Sequence, residues 1–259
     1  MLEPLQYVLG GVSGTLVGFT LGLVGGGGSI LAVPLMVYVV GIKNPHVAIG
    51  TSAFAVAANA ATGLLNHARA GNVKWRCGSM YASAGIAGAL AGSSLGKAVD
   101  GQKLLFLFAL VMVVVGILMI RSRKNIGIQG AQCNRENAPK VVGYGLGTGL
   151  FSGFFGIGGG FLIVPGLIAS TSMPMLSAVG TSLVAVTAFG LTTALNYAVS
   201  GLVDWPLASV FIFGGIIGGL FGSRVAKQLS GKAGQLTSIF ATLIFVVAAY
   251  VLWKSYTAF

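Results

Sequence analysis

Whatever chemistry this chain performs must come mainly from backbone and hydroxyl groups. Its four carboxylates, Glu3, Asp100, Glu136 and Asp204, fall in loops or near the terminus. Proton and cation relays in membranes usually use buried Asp or Glu. The chain has no metal cluster, catalytic triad or phosphate-binding P-loop pattern, so no catalytic residue, metal site or cofactor is expected. The pattern that could do chemistry is a pair of glycine runs. One is Gly25, Gly26, Gly27 and Gly28, followed by Ser29; the other is Gly156, Ile157, Gly158, Gly159 and Gly160. Each Gly costs about 1 kcal/mol relative to Ala in a helix, and a break inside an apolar segment frees N–H groups that lipid cannot satisfy. Helices starting after Gly28 and Gly159 would offer positive dipole ends and unpaired amides, an arrangement that attracts a small anion.

Hydroxyls and amides extend the list. Thr51 with Ser52, and Thr181 with Ser182, open apolar segments and could contact a substrate; equally, they could satisfy local backbone carbonyls. Asn59, Asn66 and Asn196 are costly in lipid and are expected to face the interior, although Asn66 and Asn196 also suit segment caps. His67 has Tyr197 as its counterpart and reads as interfacial rather than as a proton carrier. Trp75 and Trp205 read as interface anchors, and Asp204 as an N-cap ahead of Pro206.

The elements that would position these groups are membrane helices. Of 259 residues, 55% are hydrophobic and 7% are charged, against roughly 25% charged in a soluble domain. The net charge of +11 is scattered between apolar runs as topology determinants are, which excludes a nucleic-acid partner. Cys77 and Cys133 have no metal-ligand spacing and make no disulfide framework. Met1, Leu2, Glu3 and Pro4 lack the basic region of a signal peptide, so the first helix is expected to be kept. Apolar segments are expected near 5–24, 29–41, 46–66, 77–97 and 103–120, then near 141–156, 160–171, 174–198, 206–226 and 233–253, on either side of a polar linker at 121–140. The second of each five is short enough to be tilted or re-entrant.

The two sets of five are repeats. Gly14, Gly18, Gly22 and Pro34 recur as Gly145, Gly149, Gly153 and Pro165; Gly50, Thr51 and Ser52 as Gly180, Thr181 and Ser182; Asn66, Gly71, Val73 and Trp75 as Asn196, Gly201, Val203 and Trp205. The four-residue glycine spacing reads as close helix packing, and the prolines as fresh helical starts. The glycine runs read as site lining, since packing does not call for consecutive glycines. With the linker cytoplasmic and every segment crossing once, eleven basic residues lie inside and four outside, as the positive-inside rule expects. Five crossings per repeat then turn the second half upside down, an inverted repeat of the kind found in secondary transporters.

The doubled glycine break followed by Pro, the Gly-Thr-Ser element and the Asn…Gly-x-Val-x-Trp element resemble the sulfite exporter TauE/SafE family. The resemblance covers both halves and leaves only the 121–140 linker outside. Ile157 in the second glycine run and Tyr197 opposite His67 depart from strict repetition, which implies two chemically unequal half-sites. The resemblance implies an inner-membrane transporter of small sulfur-containing anions such as sulfite, thiosulfate or sulfonates.

The expectation is thus an all-α integral membrane protein of two inverted repeats, at 1–120 and 141–259, each with about five helical segments and a glycine-broken short helix. It is not an enzyme. It would move a small oxyanion by alternating access, or else conduct it passively as a channel on the same scaffold. Its partners are lipid and the substrate anion, both termini are periplasmic, and a homodimer is one open option for its oligomeric state.

Overall fold

A computed structural model of the chain describes residues 3–121, 133–156, 160–228 and 233–256. Every element within them is helical: α1 (Pro4–Val24), α2 (Gly25–Val39), α3 (Pro45–Arg69), α4 (Trp75–Ala98), α5 (Gly101–Arg121), α6 (Ala138–Phe155), α7 (Gly160–Thr171), α8 (Met175–Val199), α9 (Trp205–Gln228) and α10 (Ala233–Tyr256). These follow the ten apolar segments. Gly158 and Gly159, the interrupting Ile157 and most of the linker lie outside the described residues.

Local signals start the helices. The Asp204 carboxylate accepts from the Leu207 amide at 3.0 Å, the cap expected there. Asp100 accepts from Gln102 and Lys103 at the start of α5, and Asn44 accepts from His46 at the start of α3.

The prolines behave differently from expectation. Pro165 lies inside α7, which already begins at Gly160. Pro34 lies within α2, whose helical path starts at Gly25 as 3-10 turns and ends in π turns at Leu35–Val39. A missing N–H is tolerated in a membrane helix when local 3-10 or π adjustment takes up the freed carbonyls. The cysteines also depart from expectation: Cys77, at the start of α4, and Cys133, ahead of α6, form a disulfide with their α-carbons 5.4 Å apart. A separation of 56 residues carries no spacing signal from which to foresee the bond.

Pro4–Leu23, Pro45–Arg69, Met175–Val199 and Trp205–Val225 are long and apolar enough to cross a membrane. Outward faces carry large apolar side chains in the open, among them Leu5, Leu195, Val199 and Phe213. Such a surface suits lipid and not water. Trp75 and Trp205 are half exposed at helix starts, as anchors are.

Inside, small residues set the packing. A β-carbon at Gly14, Gly18 or Gly22 of α1 would land on the carbonyl of Phe211, Gly215 or Gly219 in α9. The same happens 131 residues on, where Gly145, Gly149 and Gly153 of α6 face the carbonyls of Tyr81, Gly85 and Ala89 in α4. Each contact is backbone against backbone, the close approach that glycine spacing allows. Gly18→Ala should therefore lower stability by about 1–3 kcal/mol or more, the usual cost of overpacking. Gly219→Ala should be near neutral, because its β-carbon would sit 3.5 Å from the Gly18 carbonyl oxygen and alanine favours the helix. The midpoints of thermal unfolding in detergent check the pair.

The remaining packing joins α3 to α8, α3 to α9 and α4 to α8, while α5 lies against α10. The core between them is filled by Tyr81, Phe189, Phe211, Ile30 and Met36, all fully buried.

Candidate functional site

The two glycine breaks meet at the middle of the fold. Residues 25–31 are all buried, and α2 crosses α7 so closely that a β-carbon at Gly26 would lie 2.7 Å from the Gly160 α-carbon. One at Gly160 would overlap the Gly26 carbonyl. The backbone earns this approach at the two turns entering the breaks. Gly25 (φ +72°) and Gly156 (φ +69°) occupy positive φ, a region costly for residues with a β-carbon. After Gly25 the chain folds back on α1, so that Gly28 touches the backbone of Thr20 and Leu21. There the Thr20 hydroxyl reaches the Gly28 carbonyl at 3.3 Å and Ser29 donates to the Gly26 carbonyl at 2.9 Å.

Packing thus does call for glycine at Gly26, Gly28 and Gly160, contrary to the sequence reading. What marks the breaks as a candidate site is where they meet and what surrounds them.

Each break is wedged by a side chain from the other half. A β-carbon at Gly25 would lie 2.5 Å from a Val179 methyl, and one at Gly156 would overlap an Ile49 methyl. Those wedges carry the serines: Ser182 donates to the Val179 carbonyl at 2.8 Å and Ser52 to the Ile49 carbonyl at 3.1 Å. The crossing therefore gathers Gly25, Gly26, Gly28, Ser29, Gly156, Gly160 and the turns holding Ser52 and Ser182. Gly27 is buried in the same stretch. None of these residues is ionisable, so polarity here comes from peptide dipoles and hydroxyls.

Thr51 and Thr181, though buried beside the serines, serve elsewhere. Thr51 accepts from the Asp204 amide and Thr181 from the Lys74 amide, each at 2.9 Å. Each threonine of one half thereby fixes the loop that starts a helix of the other. Asn59 does not join the crossing. It lies ten residues beyond Ile49 on α3, roughly 15 Å along the helix, with its amide against Gly215. Only 4% exposed, it has no hydrogen bond on either amide atom among the described residues. Its place in the other half is held by Phe189, against Gly85. The two halves of the chain are chemically unequal at this position.

Asn196 is no cap. Its amide donates to Ser93 and Ser94 while Lys97 donates to its side-chain and backbone oxygens. Asn66 is exposed. Sequence reasoning missed the wedges Ile49 and Val179, although an aliphatic residue before Gly-Thr-Ser in both halves was the available signal.

Residues 11–251 match the sequence profile of the family described as sulfite exporter TauE/SafE. A probable membrane transporter protein of Xylella fastidiosa (strain 9a5c) is 51% identical over 247 residues, covering 95% of each chain. The probable membrane transporter protein YdhB of Bacillus subtilis (strain 168) is 27% identical over 230 residues, covering 88% of this chain and 93% of its own. Sulfite exporter TauE/SafE family protein 1 of Arabidopsis thaliana is 30% identical over 139 residues, 53% of this chain and 30% of that one. No solved structure matches.

Proposed function

The chain belongs to the sulfite exporter TauE/SafE family and is a membrane transporter, and from that premise we propose that it carries a small sulfur-containing oxyanion, such as sulfite, thiosulfate or a sulfonate, by alternating access. The observation that carries this reading is the buried crossing of Gly26 and Gly160 with the Ser52 and Ser182 turns beside it. Peptide dipoles at broken membrane helices replace part of an anion's hydration without a buried cation. Each helix end contributes about 0.3–1 kcal/mol when exposed and up to about 2 when partly buried. The basic residues stay at the rims, where they set topology and draw anions in.

The same reading takes the halves as inverted repeats. Its support is that contacts recur with roles exchanged: Gly18 on Gly215 and Gly149 on Gly85, Gly25 on Val179 and Gly156 on Ile49. Positive φ angles recur likewise at Gly71 and Gly201, and at Gly41 and Ser172. The orientation proposed is an inner-membrane one, with the 121–140 linker cytoplasmic and both termini periplasmic.

Purified protein in liposomes tests the proposal. Unlabelled sulfite, thiosulfate or a sulfonate inside should drive counterflow of the labelled anion to above its equilibrium level. Flux that only dissipates a gradient would make the protein a channel, and absence of flux for all three would remove the substrate class. An impermeant maleimide should reach K43C but not N125C on intact cells, and N125C but not K43C on inside-out vesicles; the reverse would overturn the orientation.

A further inference from the structure

A cleft lies away from the crossing. α5 and α6 barely meet, and between them and α7 runs an open cleft of about 740 Å3. Leu110, Val114, Phe151 and Leu162 line it, with Lys140 at one end. Its floor is the outer face of α6, where a β-carbon at Gly143 or Gly147 would meet nothing within 4 Å. No contact among the described residues calls for these glycines, unlike Gly145, Gly149 and Gly153 on the inner face, yet each costs helix stability of about 1 kcal/mol relative to Ala. They make sense if something other than protein packs there.

The charge at the end is as specific as the floor. Lys140 lies in the first turn of α6, a turn without an acidic residue. A lysine there opposes the helix dipole, and an anion seated beside it gains from both the ammonium and the positive end of that dipole. Among the described residues lining the cleft, Lys140 is the charged one. From Lys140 to Phe151 the cleft follows about 16 Å of helix, a length that takes much of an acyl chain.

The repeat supplies the control. At the positions of Lys140, Gly143 and Gly147 the first half carries Leu9, Val12 and Leu16. The lysine and both glycines are particular to the second half and do not come from the repeated architecture.

We infer that this cleft binds one anionic phospholipid, its phosphate on Lys140 and one acyl chain over Gly143 and Gly147. The test uses the intact purified protein in detergent and follows thermal unfolding and bound lipid by native mass spectrometry. Phosphatidylglycerol should raise the unfolding midpoint more than phosphatidylcholine does, and should remain bound at one molecule per chain. K140Q should reduce the difference between the two lipids. G143V/G147L, which installs the residues of the first half, should abolish retention of the bound molecule while the protein stays folded. Equal effects of both lipids, the same shift with inorganic phosphate alone, or undiminished retention by G143V/G147L would each overturn the site. A change of oligomeric state in G143V/G147L without added lipid would assign the cleft to a second copy of the chain instead.

Discussion

Alanine at Gly160 will stop transport in a protein that still folds. The added methyl group overlaps the Gly26 carbonyl, and the atoms it meets are backbone with no rotamer to yield. The two breaks must separate, moving the amides and the Ser52 and Ser182 turns that converge there. A shift of about 1 Å in a positioned group is enough to cost of order a hundredfold in function. Counterflow should therefore fall below detection while a monodisperse, thermally cooperative species persists. Gly26→Ala is the milder counterpart, since its β-carbon meets the Gly160 α-carbon and a Val186 methyl, each at 2.7 Å. It should retain part of the activity and lose affinity for the anion. Folded G160A or G26A protein that transports at the native rate would reduce the crossing to a packing contact.

Much of this arrangement was legible in the sequence, and the reasons differ by residue. Apolar runs between turn residues locate helices because lipid leaves the backbone no other way to satisfy itself, so α7 falls on the residues expected of it. Four-residue glycine spacing reports helix contact directly, and Gly14, Gly18 and Gly22 lie where that rule puts them. Pro165 shows where a local rule gives way: a soluble helix would break there, while a membrane helix accommodates it. Thr51 shows the limit of any local reading, because its partner, the Asp204 amide, is 153 residues away. The disulfide and the Lys97–Asn196 network are invisible for the same reason. Asn59 is costly in lipid, yet only the fold places its amide against α9 and away from the breaks.

The contacts also redraw the bodies that must move, and a cross-linking experiment will separate them. The sequence halves cannot rock against each other as units, because α1 of the first is zipped backbone to backbone onto α9 of the second, and α6 onto α4. Such contacts have no side chains to slide and resist shear as packed interiors do. α3 packs on α9 and α8 on α4, and the units we propose to move are α1, α2, α3 and α9 on one side and α6, α7, α8 and α4 on the other. They meet along α3 and α8, where a β-carbon at Gly190 would lie 2.9 Å from that of Ala57, and at the crossing of α2 with α7. On the proposed reading, alternating access runs through that seam, a shear between packed helices. In a parent with Cys77 and Cys133 replaced by serine, an A57C/G190C pair bridged by oxidation or mercuric ion should lose transport, and thiol reductant should restore it. A G11C/V210C pair, across α1 and α9 where a Gly11 β-carbon lies 3.4 Å from a Val210 methyl, should transport equally well bridged or open. Transport through a closed α3–α8 bridge, or its loss on closing α1 to α9, would refute this division of the molecule.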